Sequence, residues 1–231
     1  MSREWRLKTP LSEEDVRALG LLDVVYLSGK MWGIRDENLR RHLDHGEALP
    51  EGVDYAGYPL LHEAAGYRQV DAPGAGKNRK WEFTSGMGNT TSTRMERWMP
   101  EIIERYGCRA ILGKGGLLEG STAACEKHGC VYMSTIGGAA SHYDTHAEII
   151  NVYWPDLTSQ AILELEVTDY GPCFVAIDAH GNNHYFNLRA EQIEKRAAIY
   201  EKAGVSLLSE RPTMTPRAGT GGNDSRSNKS N

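Results

Sequence analysis

The chain has 231 residues, with 26 Lys and Arg against 31 Asp and Glu, and its formal net charge is −5. This length suits one large domain, or one domain with appendages, and it can bury a sizeable core. The slightly acidic charge, without a basic run, argues against nucleic acid as the main partner. No apolar stretch approaches the roughly 20 residues of a membrane span, and the first residues lack an apolar signal region. We therefore expect a cytoplasmic globular protein.

Ser12 is expected to cap a first helix, whose first turn is acidic and which Gly20 can end. The apolar, β-branched run 23–28 predicts a strand that ends at Gly29. A second helix follows and is closed by a glycine. Residues 47–80 hold many Gly and Pro, which predicts loops around short strands.

From residue 86 onward a Gly-rich loop, a helix and an apolar strand follow one another repeatedly. A helical stripe predicts a helix over 95–106, and Pro100 inside it should kink or break that helix. A second helix is expected to end at Gly129. Strands are expected at 108–112, 130–134, 161–167 and 174–177. Turn residues at 178–183 separate the last of these strands from Tyr185 and Phe186. The pattern predicts an α/β domain with a mixed sheet.

The end of the chain differs in composition from the rest. Residues 211–231 hold one strongly apolar residue, Met214, among Gly, Ser, Asn, Pro and charged side chains. Such a segment cannot bury enough surface to offset the entropy cost of ordering it. We therefore predict one domain over 1–210, followed by a disordered tail.

Four cysteines occur in the chain: Cys108, Cys125, Cys130 and Cys173. In a cytosolic protein they are expected to be free thiols. The four-residue separation of Cys125 and Cys130 is not the C-x2-C spacing of zinc sites. A [4Fe–4S] cluster held by this chain alone would need all four, and they show no ferredoxin-like run. We therefore do not expect this chain to ligate a cluster by itself.

Two glycine-rich loops carry the candidate chemistry. The loop GMGNTTSTR puts Thr90 and Thr91 at a helix start, with Arg94 one turn later, and helix N-termini attract anions. The guanidinium of Arg94 presents a planar fork that suits a carboxylate. The loop GKGG exposes Lys114 among glycines that allow the backbone to approach a ligand closely. Together the loops predict a site for a carboxylate or a phosphate.

Each of these features also has a simpler interpretation. Thr or Ser at a helix start is usually an N-cap, and Arg35 beside Asp36 can be a surface ion pair. His142 and His146 are four residues apart and could hold a metal, but most such pairs are solvated or capping residues. The spacing of a nucleotide P-loop and the G-x-S-x-G element of serine hydrolases are both missing.

The order of three segments is more specific than any one of them. These are GKMWGIRD at 29–36, GNTTSTRM at 88–95 and ILGKGG at 111–116. They resemble the (T/A)RD, GPTTSxRM and IGKGG signatures of the class I fumarase C-terminal domain. That domain is also the separate beta subunit of two-subunit fumarases and L(+)-tartrate dehydratases. The resemblance covers roughly residues 8–188, and it includes the further segments ACEKHG, GGAA, LEV and DAHGN.

The sequence departs from this family pattern in four places. Asn89 stands where the family has proline, and Thr93 stands where a small residue is frequent. The H-C-G-P element of the family corresponds best to residues 62–65, HEAA, of which only His62 is retained. Residues 74–80, GAGKNRK, resemble a loop insertion. Because the Thr and Arg residues survive, the chemistry can be retained while the substrate differs.

The resemblance implies a swivelling β/β/α domain that forms half of an active site. It implies a [4Fe–4S] cluster ligated by a partner alpha subunit, in a hetero-oligomer that dimerises further. Thr90 would transfer the proton and Thr91 would contact the substrate. Arg35, Arg94 and Lys114 would bind its carboxylate.

We therefore expect the beta subunit of an iron–sulfur-dependent hydro-lyase that adds or removes water on a C4-type dicarboxylate of the fumarate and malate kind. One alternative is the beta subunit of L(+)-tartrate dehydratase. Others are an anion-binding paralogue without catalysis and a nucleotide-binding α/β protein. These residues do not distinguish among dicarboxylates, because all of them would be held in the same way.

Overall fold

The computed structural model describes residues 2–71 and 79–204. The predicted tail at 211–231, and residues 74–78 of the predicted insertion, lie outside the described residues. The strands in the described ranges are β1 Glu4–Lys8, β2 Val24–Ile34, β3 Pro59–Ala64, β4 Tyr67–Asp71, β5 Arg79–Phe83, β6 Gly88–Asn89, β7 Ala110–Gly113, β8 Val131–Ser134, β9 Ala147–Tyr153 and β10 Ile162–Ile177. The α-helices are α1 Glu13–Arg17, α2 Asp36–Leu39, α3 Met99–Tyr106, α4 Glu119–His128, α5 Ala140–Asp144 and α6 His184–Lys202. A π-helical turn covers Arg40–Asp44, and 3-10 turns cover Ser92–Met95 and Pro155–Gln160.

Eight of the described strands form one mixed sheet that closes on itself. Strand β2 pairs in parallel with β3 and antiparallel with β10, while β7 and β8 complete the ring between β3 and β10. Strands β1, β9 and β6 extend the sheet beside β2, β10 and β3. Strands β4 and β5 form a separate antiparallel pair. The predicted α/β class with a mixed sheet is confirmed.

The sheet buries apolar side chains on both of its faces, as the nearly continuous apolar sequence of its strands requires. Leu61, Leu112 and Met133 lie in register on β3, β7 and β8 and belong to one hydrophobic cluster. Their neighbours Leu60 and Ile111 face the other way, into a cluster that includes residues of α3 and α4. Parallel pairing of β2, β3 and β7 brings the carboxyl ends of these strands to one edge.

Capping residues begin the helices, and glycines end them, largely as predicted. Ser12 caps α1 through a capping box, although this helix ends at Arg17, before Gly20. Gly107 and Gly129 follow α3 and α4 with φ of 63° and 66°, the left-handed conformation that favours glycine. Pro100 lies in the first turn of α3, where proline is tolerated, and a separate 3-10 turn precedes it, so the predicted break of the 95–106 stretch is confirmed.

Two strand boundaries predicted from the sequence are wrong. Strand β2 does not end at Gly29 but continues to Ile34. The glycine is needed inside the strand because Thr9 packs against it: a Cβ at this position would lie 2.6 Å from Oγ1 of Thr9. The strands predicted at 161–167 and 174–177 form one strand, β10, which remains continuous through two register shifts against β2. Strand β9, which pairs with the first half of β10, was not predicted.

The chain divides into two compact units, the first ending at Leu188 and the second beginning at Arg189. The first contains the ten strands found in the described residues, the helices α1 to α5 and the start of α6. The described part of the second contains the C-terminal portion of α6. Within the described residues, no helix combines the length and the apolar character that crossing a bilayer requires.

Asp23 is a buried carboxylate that joins β1, β2 and the end of the first helical segment. It accepts hydrogen bonds from the side chain of Arg3 at 2.7 Å, from Nε1 of Trp5 at 2.9 Å and from the amide of Gly20 at 3.0 Å. Burial raises the pKa of Asp23, but these donors outweigh burial and hold the pKa at about 2. The folded state therefore favours the ionised form of this carboxyl group.

We expect this carboxylate to stabilise the fold above about pH 4 and to lose that contribution as the pH falls towards 2. The difference from the ordinary value corresponds to about 2 kcal/mol of unfolding free energy. Thermal unfolding of the wild type and of Asp23→Asn between pH 6 and pH 2 measures it. The variant should be less stable at pH 6 and should show a weaker acid dependence. Equal acid slopes for both proteins would contradict this assignment.

Candidate active site

A cavity of about 270 Å³ opens at the carboxyl ends of the parallel strands β2, β3 and β7. This edge of an α/β sheet is where ligands commonly bind. Eight residues line the cavity: Arg35, Ala64, Gly88, Asn89, Thr90, Thr91, Arg94 and Lys114. All five residues singled out from the sequence as site residues are among them. The structure therefore brings together side chains that come from three separate segments of the chain.

Backbone hydrogen bonds fix the two loops relative to each other. The amide of Thr90 donates to the carbonyl of His62 at 2.8 Å, and the amide of Lys114 donates to the carbonyl of Thr90 at 3.1 Å. The amide of Ser92 in turn donates to the carbonyl of Lys114 at 2.9 Å. The loop that carries the threonines thus continues the hydrogen-bonded ladder that begins at β6. These backbone bonds fix Thr90 and Lys114 relative to each other.

Asp36 holds the two arginines of the cavity. Its Oδ2 atom lies 3.4 Å from Nε of Arg35 and 3.5 Å from Nη2 of Arg94. The sequence suggested a simple surface pair as one interpretation of Arg35 and Asp36, and it gave no sign that Arg94 shares the same carboxylate. Lys114 makes no ion pair within residues 2–71 and 79–204. Three cations beside one carboxylate leave a net positive charge, which favours an anionic ligand.

Thr90 is the buried hydroxyl residue of the cavity wall. Its exposed fraction is 5%, whereas Thr91 beside it is exposed. The side-chain oxygen of Thr90 makes no hydrogen bond with any residue that the structure describes. A hydroxyl group that is nearly withdrawn from solvent and not committed to the protein is available to a ligand in the cavity.

His62, the retained residue of the HEAA segment, packs behind the loop. Its Nδ1 lies 2.9 Å from Oγ of Ser92, and its Nε2 lies 3.2 Å from Sδ of Met99. The hydroxyl of Tyr132 donates to the same Oγ at 3.0 Å. Burial lowers the pKa of His62 to about 3, so its ring is neutral at physiological pH. This histidine supports the loop and does not face the cavity.

Gly113 is the point where the loop and the strands approach most closely. A Cβ at this position would lie 2.2 Å from Oγ of Ser92 and 3.2 Å from the carbonyl oxygen of Thr90. We expect Gly113→Ala to destabilise the fold by about 1–3 kcal/mol, because overpacking forces the loop to move. Thermal unfolding measures this loss. Gly20→Ala, whose Cβ would have its nearest neighbour at 3.7 Å, is the matched control. A melting temperature unchanged by Gly113→Ala would show that Gly113 is not tightly packed against Ser92.

The remaining metal candidates do not form a ligand set. The rings of His142 and His146 lie 5.1 Å apart, and each is bound to a backbone carbonyl at 2.9 Å. The four cysteines are free and buried, three in the cluster beside α3 and α4 and Cys173 in the other cluster. Among the described residues there is no group of three or more His, Cys, Asp or Glu side chains placed to hold a metal ion. The residues present thus do not fit an iron–sulfur cluster ligated by this chain.

Comparison with known proteins gives a consistent result. Residues 1–188 match the family model described as the fumarase C-terminus. The chain is 33% identical over 202 residues to a protein of Methanocaldococcus jannaschii named as an L(+)-tartrate dehydratase beta subunit, covering 83% of this chain and 93% of that protein. It is 31% identical over 198 residues to the L(+)-tartrate dehydratase beta subunit of Escherichia coli K12, covering 85% and 94%.

A longer relative is also similar. A protein of Geobacillus stearothermophilus named as a class I fumarate hydratase is 31% identical over 199 residues, which are 84% of this chain and 36% of that protein. The same domain therefore occurs both as a separate subunit and within a longer polypeptide in these relatives. On the extent of the family match, the chain belongs to the fumarase C-terminus family.

Proposed function

We propose that this chain is the beta subunit of an iron–sulfur-dependent hydro-lyase that reversibly adds water to, or removes it from, a C4-type dicarboxylate. The observation that carries the proposal is the cavity in which Arg35, Arg94 and Lys114 converge beside a buried threonine. The names of the relatives, tartrate dehydratase and fumarate hydratase, support the same chemistry. A fumarate- or malate-like substrate is proposed first, and L(+)-tartrate is the alternative.

The cations of the cavity suit the charge that this reaction develops. Removing a proton from the carbon beside a carboxylate creates an aci-carboxylate dianion. Fixed positive charges stabilise such a species most effectively when they are already in place before the reaction. Asp36 orients both arginines, and the backbone ladder fixes the segment that carries Lys114. In this proposal the three cations bind one carboxylate of the diacid and stabilise its dianionic form.

Thr90 is proposed as the group that transfers the proton. Its hydroxyl would exchange a proton with the carbon next to the bound carboxylate. An unassisted threonine hydroxyl is a weak base, so a neighbouring group must help to take up its proton. We propose that a carboxylate of the alpha subunit supplies this help. Thr91, on the exposed rim of the same loop, would contact the substrate without transferring a proton.

The [4Fe–4S] cluster implied by the family is assigned in this proposal to the alpha subunit. Among the described residues no three or more His, Cys, Asp or Glu side chains are placed to hold a metal ion, so this part of the chain offers no ligand set. The part played by this chain is thus to bind a carboxylate and to hold a proton at Thr90. Either subunit alone is expected to be almost inactive, because each holds only part of the site.

Co-expression with the cognate cluster-bearing alpha subunit tests the proposal. The purified complex is assayed for water addition and removal with fumarate, L-malate, L(+)-tartrate and methylated analogues. We expect turnover of at least one of these diacids by the complex and almost none by either subunit alone. Dicarboxylate binding without turnover, in a complex with an intact cluster, would favour the anion-binding paralogue instead. ATP or NAD binding by the chain alone would favour the nucleotide-binding alternative.

A further inference from the structure

Two polar side chains face each other beneath the cavity. Glu63 on β3 and Asn89 on β6 are direct cross-strand neighbours. The next residues along the two strands, His62 and Thr90, form a hydrogen-bonded pair, because the amide of Thr90 donates to the carbonyl of His62. Hydrogen-bonded and non-hydrogen-bonded pairs alternate in an antiparallel ladder, which makes Glu63 and Asn89 a non-hydrogen-bonded pair. Side chains approach most closely at such pairs.

Both residues are withdrawn from solvent, and polar atoms of both lack partners. Their exposed fractions are 1% for Glu63 and 7% for Asn89. Oε2 of Glu63 and both amide atoms of Asn89 make no hydrogen bond with any described residue. A buried polar atom without a partner costs about 1–3 kcal/mol. A small rotation that lets the two neighbours bond to each other is the nearest way to remove this cost.

The surroundings of Glu63 determine whether its carboxyl group is protonated. Burial raises the pKa of Glu63, and the negative charge of Asp144 on α5 raises it further. The positive charge of Arg35 lowers the pKa but does not cancel the effect of burial, so the pKa is about 8. Among the described residues, Tyr67 on β4 and Tyr170 on β10 are the other titratable groups that interact electrostatically with it. From β2, Gly33 packs so closely that a Cβ there would lie 2.7 Å from Oε1 of Glu63. The carboxyl group is therefore uncharged at neutral pH.

Strand register places the same carboxyl group near the cavity. Ile34 on β2 pairs with His62 on β3, so the next residues along these parallel strands, Arg35 and Glu63, are level with each other. Asn89, on the other side of Glu63, lines the cavity and directly precedes Thr90. A change in the charge of Glu63 would thus act on two of the proposed binding and proton-transfer residues.

We propose that Glu63 is a positioning residue: its O–H donates to the amide oxygen of Asn89, which steadies the strand that carries Thr90, and its lack of charge leaves Arg35 free for the dicarboxylate. Loss of that proton would draw Arg35 towards Glu63 and weaken substrate binding. The second part of this inference rests on the proposed function, and the first does not. Glu63 and Asn89 are also two positions at which the sequence departs from the family signatures, so these departures meet in one pair.

The sign of the pH effect follows from the raised pKa. The folded protein binds a proton at Glu63 between about pH 4.5 and pH 8, where the unfolded chain does not. The contribution of Glu63 to stability is therefore greatest below about pH 4.5, declines as the pH rises to about 8 and is constant above that value. Glutamine has the same shape and cannot ionise, so Glu63→Gln should remove this decline.

The first experiment follows thermal unfolding of the full-length chain between pH 5 and pH 9. We expect Glu63→Gln to raise the melting temperature at pH 8 by a few degrees relative to the wild type and to flatten its pH dependence. Glu166→Gln, at an exposed position of β10, is the matched control and should change neither. The effects of Glu63→Ala and Asn89→Ala should also be non-additive in the double variant. Unchanged pH dependence in Glu63→Gln, or additive effects, would overturn the pairing.

The second experiment measures kcat/KM of the assembled complex from pH 6 to pH 9.5. We expect the wild-type value to fall several-fold above about pH 8, mainly through KM, and the Glu63→Gln value not to show this fall. The same fall in both proteins would overturn the link to Arg35. A complex without any turnover would refute the proposed function, while the unfolding experiment would still decide whether Glu63 and Asn89 pair.

Discussion

Replacing Thr90 by alanine is expected to lower kcat of the assembled enzyme by about 10²–10⁴-fold, which is the usual contribution of a general acid or base. The expected change in KM is small, because the carboxylate is bound by the cations and not by this hydroxyl group. The fold should tolerate the change, since the side-chain oxygen of Thr90 makes no hydrogen bond within the described part of the chain. Steady-state kinetics of the purified complex measures both parameters.

Two further variants make the Thr90 result specific. Thr90→Ser retains the hydroxyl group and should keep much more activity than Thr90→Ala. Thr168→Ala, at an exposed position of β10, is the matched control and should behave as the wild type. A Thr90→Ala enzyme with kcat close to the wild-type value would show that the proton is transferred by another group. Loss of the complex on gel filtration would instead show that the variant acts through assembly.

Lys114→Met is expected to lower kcat/KM by roughly 10–100-fold, because a hydrogen bond to a charged group contributes about 1.5–3 kcal/mol. Methionine retains most of the length of the side chain and removes its charge. Lys114 has no ion-pair partner among the described residues, so its loss should not leave an unpaired carboxylate in this chain. We therefore expect the melting temperature to stay within a few degrees of the wild-type value while substrate binding weakens.

Lys127→Met is the matched control for this variant. Lys127 lies on α4, pairs with Glu104 at 3.2 Å and has a side chain that is 69% exposed. Exposed ion pairs contribute little, so this variant should retain both its activity and its stability. Equal kinetics for Lys114→Met and the wild type would remove Lys114 from the proposed carboxylate site. Direct titration with succinate, a dicarboxylate that cannot lose water, would show the same difference as a change in Kd.

The helices of the central segment could be predicted because their signals are local. An apolar stripe at helical spacing lies between a loop and Gly107, and Gly129 ends the next helix in the same way. The strand boundaries depended on contacts that are remote in sequence. In the sequence Gly29 indicates the end of a strand, whereas in the structure it lies inside β2, where Thr9 packs against it. The polar residues inside β10 indicated two separate strands. In the structure β10 continues as one strand, because it accommodates them through two register shifts against β2.

The candidate site shows the same division between local and long-range information. Arg35, Thr90, Arg94 and Lys114 could be chosen from the residues and motifs of their loops, and the structure brings them to one cavity. The arrangement around them depends on strand register and on chain geometry, which a single sequence does not specify. The shared carboxylate of Asp36 and the support of Ser92 by His62 were therefore not predicted, nor was the pairing of Glu63 with Asn89.

A structure of the assembled complex with a bound dicarboxylate, such as succinate, tests the central claim most directly. We expect one carboxylate of the ligand within hydrogen-bonding distance of Arg35, Arg94 and Lys114, and the hydroxyl of Thr90 facing the adjacent carbon. The second carboxylate should lie on the side of the alpha subunit. A ligand bound away from this cavity, or a cavity filled by acidic side chains of the partner, would contradict it.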